Sequence, residues 1–140
     1  MKEIRKIIIE REPGYVCSDI KEFEKITITP NSISYIYTHS YFSLEMREFV
    51  KENIRKWKYE TNSPKFHNQY KKIITEVLNV MDNEMQYDAK DADMLTFILY
   101  DINNKRKKVL ICSCLGLMKQ LKKEIKKIIP KCDENLNIFL

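Results

Sequence analysis

The sequence predicts an α+β domain, a mostly antiparallel sheet of about five to six strands packed against two main helices, in the order β-β-β-(α)-β-α-β-β-α. Three observations predict it. Apolar residues alternate with a period of two in the first third of the chain. A capped stripe with helical spacing occupies the middle, and a second hairpin followed by an amphipathic helix closes the chain.

Ile4 to Glu10 is β-branched and apolar, as strands prefer, and Pro13-Gly14 behind it marks a turn. In Lys25-Ile26-Thr27-Ile28-Thr29 the isoleucines share one face; farther on, so do Ile33, Tyr35 and Tyr37. Pro30-Asn31-Ser32 between them is turn chemistry, since proline pre-sets φ and asparagine tolerates left-handed geometry. Residues 25–38 are therefore expected to form a β-hairpin. The next stretch is mixed. Ser43 can cap a helical turn holding Glu45, with Leu44, Phe49, Val50 and Ile54 on one side, whereas Arg55, Trp57, Tyr59 and Thr61 share a strand face. The expectation is a short helix or irregular segment over 43–51 and a strand over 54–61.

Residues 64–81 read as a helix. Ser63 is a natural N-cap, Pro64 sits where its missing N–H costs nothing, and Phe66, Tyr70, Ile73, Ile74, Val77, Leu78 and Met81 form a stripe. An acidic loop follows. Leu95–Asp101 is then expected to pair with Arg106–Cys112 across an Asn103-Asn104 turn, with Asp101 facing Arg106 and Phe97 facing Leu110. Both faces of these strands are apolar, which suggests central strands covered on two sides. The last helix runs from Leu117 to about Ile129, burying Leu117, Leu121, Ile125, Ile128 and Ile129 before Pro130 stops it.

No linker or repeat divides the 140 residues, so residues 1–140 are expected to be a single domain. The 44% hydrophobic and 32% charged residues belong to a globular chain. No apolar run approaches the roughly 20 residues that span a bilayer, and the one at the N-terminus is far shorter than a signal peptide needs. No membrane insertion and a cytoplasmic location are expected, with Cys17, Cys112, Cys114 and Cys132 as reduced thiols. Lysine outnumbers arginine 20 to 5 and isoleucine occurs 19 times, a bias expected of an AT-rich coding sequence such as a low-GC bacterium's.

Charge is uneven. Residues 105–131 hold ten Lys or Arg against Glu124 alone, a net of +9, while the remainder carries −4. Lys105, Arg106, Lys107 and Lys108 occupy the hairpin turn, and Lys119, Lys122, Lys123 and Lys126 lie off the apolar stripe of the last helix. Such a group can contact phosphates. Its poverty in arginine and lack of interleaved aromatics argue instead for a solvated face. A second group, Tyr35, Tyr37, Trp57 and Tyr59, has the composition of a ligand pocket or protein-contact surface as well as that of a core.

Other chemistries find little support. The acidic segment around Asp88, Asp91 and Asp93 lacks the glycine and final glutamate of a calcium loop. Cys112 and Cys114 share a strand face but lack zinc-knuckle spacing. His39 and His67 lie in no catalytic motif, and two glycines in the whole chain rule out a glycine-rich phosphate cradle. No catalytic residue, cofactor or metal is assigned. The residues fit best a small non-enzymatic binding or regulatory domain acting through protein or small-ligand contacts. The alternatives are nucleic-acid binding through the 105–131 unit and a small enzyme with a Cys/His site.

Overall fold

Consecutive isoleucines place β1 (Ile4–Glu12) in the middle of the sheet, because β-branched side chains on both faces suit a strand with neighbours on both sides. The computed structural model describes residues 3–12, 19–82, 94–112 and 118–129. The other strands are β2 (Ile20–Thr29), β3 (Ser32–Ser43), β4 (Glu48–Glu60), β5 (Met94–Asp101) and β6 (Arg106–Cys112). They form one sheet in the order β4-β3-β2-β1-β5-β6, every pairing antiparallel. The helices are α1 (Pro64–Asp82) and α2 (Met118–Lys126). No described helix is long and apolar enough to cross a membrane.

One face of the sheet meets the helices. Ile7 and Ile9 of β1 lie level with Ile28 and Ile26 of β2, then with Ile33 and Tyr35 of β3, and on the other side with Leu99 and Phe97 of β5. These residues join Tyr70, Ile73 and Val77 of α1 and Leu121 and Ile125 of α2 in one buried cluster. Tyr70 donates its hydroxyl hydrogen to the carbonyl of Ile4 at 2.9 Å, tying α1 to β1. Ile74 and Leu78, at the margin of the expected stripe, are only partly buried.

Three local expectations give way. Residues 43–51 hold no helix: Ser43 Oγ does accept from the Met46 N–H at 3.3 Å, but Arg47 turns to φ 53° and the chain enters β4 at Glu48. Pairing Phe49 and Val50 with Phe42 and Tyr41 satisfies more backbone than one helical turn would. In the second hairpin Tyr100 faces Arg106 and Phe97 faces Val109, one residue from the expected register. The cause is Asp101. Its buried carboxylate accepts the Asn103 and Lys105 N–H groups at 2.8 and 2.9 Å and closes a three-residue loop with Asn104 in the left-handed region at φ 63°. Finally, β6 is an edge strand, covered on one face only, and Leu110 on its other face is 54% exposed. The last helix keeps its stripe, but α-geometry ends at Lys126 and the Lys127 and Ile128 N–H groups bond three residues back, tightening the final turn. Leu117 lies outside the described residues.

Leu121 is fully buried where both helices meet the sheet. Leu121→Ala should lower unfolding stability by about 2–5 kcal/mol in urea titrations, and Leu110→Ser by no more than about 0.5 kcal/mol. Comparable losses would contradict this assignment of core and surface.

Candidate functional site

The aromatic residues singled out from sequence share the helix-side face of the sheet but serve two different places. Cross-strand register puts Trp57 beside Tyr35 and Tyr59 beside Ile33. Trp57 stacks on Tyr35 with ring centroids 5.7 Å apart, and both join the core. Tyr59 stands farther along β4, where the strand hands over to α1, and approaches Phe66 at 6.3 Å. Thr61 and Ser63 make the corner, and the Ser63 carbonyl accepts the His67 N–H at 3.2 Å.

Tyr59 and Phe66 form one wall of an open groove of about 690 Å³, and Ile128 and Ile129, beyond the end of α2, form the other. Lys65 and Lys127 line it too. The groove is held in shape by a bond between the helices. Gln69 of α1 donates to the Glu124 carbonyl at 2.9 Å and to its carboxylate at 2.6 Å, while Lys127 reaches the same carboxylate at 3.1 Å. The Gln69 hydrogen bond, followed by that from Lys127, holds the Glu124 carboxyl below the usual carboxylate range.

Tyr35 and Tyr37 belong to a polar region at the other end of this face. Arg11, Glu24, Tyr37 and Arg55 lie level across four strands, and Glu22, His39 and Glu52 form the next row. Arg11 and Glu24 are buried and paired at 3.4 Å, and the Tyr35 hydroxyl donates to the second oxygen of Glu24. Burial, then the Glu24 contact, raises the Tyr35 phenol far above its ordinary value, so it remains a donor throughout the stable range. Burial, then the charge of Glu22, raises Tyr37 as well. His39 Nδ1 lies 3.2 Å from Glu52 Oε1 but off the line of a hydrogen bond. Trp57 Nε1 is buried with no hydrogen-bond partner among the described residues. Among those residues no group of three His, Cys, Asp or Glu is placed to hold a metal ion.

The basic residues fall into separate places. Lys105, Arg106, Lys107 and Lys108 sit exposed at the β5–β6 end, on the edge formed by β6. The end of α2 lies beside Tyr59 of β4, the opposite edge, five strand spacings or about 24 Å across the sheet. Lys119, Lys123 and Lys126 are exposed and Lys122 is partly buried. Cys17, Cys114 and Cys132, and the side chain of Cys112, lie outside the described residues, as does the acidic run 83–93. Sequence reading missed Arg11, Glu24, Gln69 and Glu124. For Arg11, Glu24 and Glu124 the available signal was a charged residue at or beside positions that strand or helix periodicity assigns to the core; the uncharged Gln69 gave none.

No protein-family model, curated protein or solved structure matches this chain. The geometry alone carries the functional reading.

Two outcomes test the polar contacts. Tyr35→Phe removes a donor from a buried carboxylate and should cost about 1–3 kcal/mol in chemical unfolding, with the Tyr35–Trp57 stack retained. Glu124, whose folded pKa is lowered, stabilises the fold while ionised and loses that contribution as pH falls below the unfolded value of about 4.3. Urea midpoints measured between about pH 3 and 6 should therefore fall less steeply toward acid in Glu124→Gln than in the unaltered protein. Parallel curves would show that the Gln69–Glu124 contact adds nothing to the fold.

Proposed function

We propose that this protein is a small cytosolic binding domain and not a catalyst, and that its ligand is a small amphipathic anion seated in the groove between β4, α1 and α2. The observation that carries the reading is the pairing of apolar walls, Tyr59, Phe66, Ile128 and Ile129, with the cation Lys65 in one concavity, where Lys127 is held by the Glu124 carboxylate. A volume near 690 Å³ falls within the range of small-molecule sites. Rings and branched side chains would take the hydrocarbon or aromatic part of the ligand. Lys65 would take a carboxylate or sulfonate, assisted by the positive end of the α1 dipole. Because Gln69 and Glu124 fix one helix against the other, the two walls are set before a ligand arrives, which lowers the ordering cost of binding.

The reading is that of a binding module also because the histidines stand apart. His39 is in β3 within the polar rows, and His67 is exposed in the first turn of α1. Trp57, the single tryptophan, lies two residues from Tyr59 on the same strand face and should report occupancy through its emission. Titration with anilinonaphthalene sulfonate, and competition by decanoate, should give saturable one-site binding. Tyr59→Ala and Lys65→Gln should each weaken it by about tenfold, equivalent to about 1.4 kcal/mol. Binding unaffected by either substitution would refute the groove as the site.

A further inference from the structure

The face of the sheet turned away from the helices has a composition of its own. Ile8 and Ile98 are buried there yet belong to no part of the core cluster, and no described helix covers them. They form the floor of a row that crosses all six strands as Lys58, Ser34, Thr27, Ile8, Ile98 and Lys108. A lysine stands at each rim, with hydroxyls and branched carbons between. The next row toward the β5–β6 loop brings Lys6, Tyr100 and Arg106 side by side, with Lys6 Nζ 4.4 Å from the centre of the Tyr100 ring. On the other side Lys25 and Lys56 flank Ile36, and beyond them Lys21 lies 4.0 Å over the ring of Phe49, near Lys51.

Strand alternation thus places eight bases on this face against Glu10, Glu12 and Glu60, and Glu60 is already paired with Lys58 at 2.8 Å. The helix-side face of the same strands holds Arg11, Arg55 and Lys107 against five acids. The two faces of one sheet therefore have opposite charge.

We propose that the open face binds single-stranded nucleic acid. Phosphates would lie on Lys6, Lys56, Lys58, Arg106 and Lys108; as Lys6 turns from the Tyr100 ring to a phosphate, an unpaired base would take its place on the ring, with Ile8 and Ile98 packed beneath. A flat sheet cannot enter the groove of a duplex as a helix or narrow ribbon does, whereas splayed bases need a flat, partly apolar floor. The hydroxyls of Thr27, Ser34 and Thr96 suit phosphate and sugar oxygens, the commonest contacts in such complexes. Arg106 and Lys108 of the basic hairpin belong to this surface, and the lysines of α2 do not.

The test is fluorescence anisotropy of a labelled oligothymidylate with the whole protein, from about 50 to 200 mM salt. Binding should weaken as salt rises. Changing Lys58 and Lys108 together to glutamine should cut affinity about tenfold and reduce the log–log salt slope by about 1.4, two phosphates at about 0.7 each for a single strand. Tyr100→Leu should weaken binding several-fold without changing the slope, which separates stacking from charge. Lys122→Gln with Lys123→Gln should leave both unchanged, and circular dichroism checks that each variant is folded. Absence of binding at low salt would overturn the proposal. So would equal sensitivity to the α2 pair, or binding of duplex, polyglutamate or anionic vesicles as tight as that of the single strand.

Discussion

A slip of one residue in the pairing of β1 with β2 and β5 would turn the isoleucines of this sheet out of the core. Side chains alternate strictly along a strand, so a slip of one residue against β2 would move Ile7 and Ile9 to the wrong face and break the level with Ile28, Ile26, Leu99 and Phe97. Such a slip would also bring Lys6 and Glu10, which flank Ile8 on the other face of β1, toward the helices. Arg11 adds to the discrimination. In the observed register its guanidinium meets Glu24 and Glu22, whereas a slipped strand would leave a buried Glu24 without its cation. An unpaired buried charge costs several kcal/mol, so the ion pair acts as a register lock even where its net contribution to stability is small.

Every other element is positioned through that lock. β1 is the only strand that touches both the β2-β3-β4 meander and the β5–β6 hairpin, so the sheet is two local units joined along one seam. The seam decides which side chains rise toward the helices and which toward the open face. Apolar rows and the Arg11–Glu24 row go to the helix side, and the lysines of β1, β2 and β6 are distributed accordingly. The helices then meet over the apolar rows through a single well-satisfied carboxylate, Glu124, which sets the groove beside Tyr59.

Much of this was legible in the sequence, and the parts that were not share a cause. Both main helices, the first hairpin and the α+β class follow from periodicity, caps and turn residues, which are local. The Asp101 register was hidden because its side chain acts on backbone groups two and four residues away, a contact no pairing template contains. Of β4 the strand over 54–60 was legible, and its start over 48–53 was hidden because Ser43 offers a genuine capping bond that the sheet outcompetes. For the candidate sites the gap is wider. Tyr59 could be named from sequence, but its groove partners come from α1 and from the end of α2, some seventy residues on. The basic segment 105–131 looked like one surface because it is continuous in the chain. Strand alternation divides its hairpin residues between two faces, and the order of strands sets the end of α2 at the far edge.

The seam also has a consequence in time. Ile8 and Ile98 are neighbours in space, yet ninety residues of synthesis separate them. At roughly 5–20 residues per second, a ribosome would leave β1 with one free edge for on the order of ten seconds. During that interval the nascent meander presents a complete isoleucine row and unsatisfied backbone groups, with neither β5 to pair with nor α2 to cover it. Holding a growing chain in that state is the work of general chaperones at the exit tunnel. A β1 of consecutive isoleucines therefore stays exposed longest while the chain is being made, however stable the sheet is once finished.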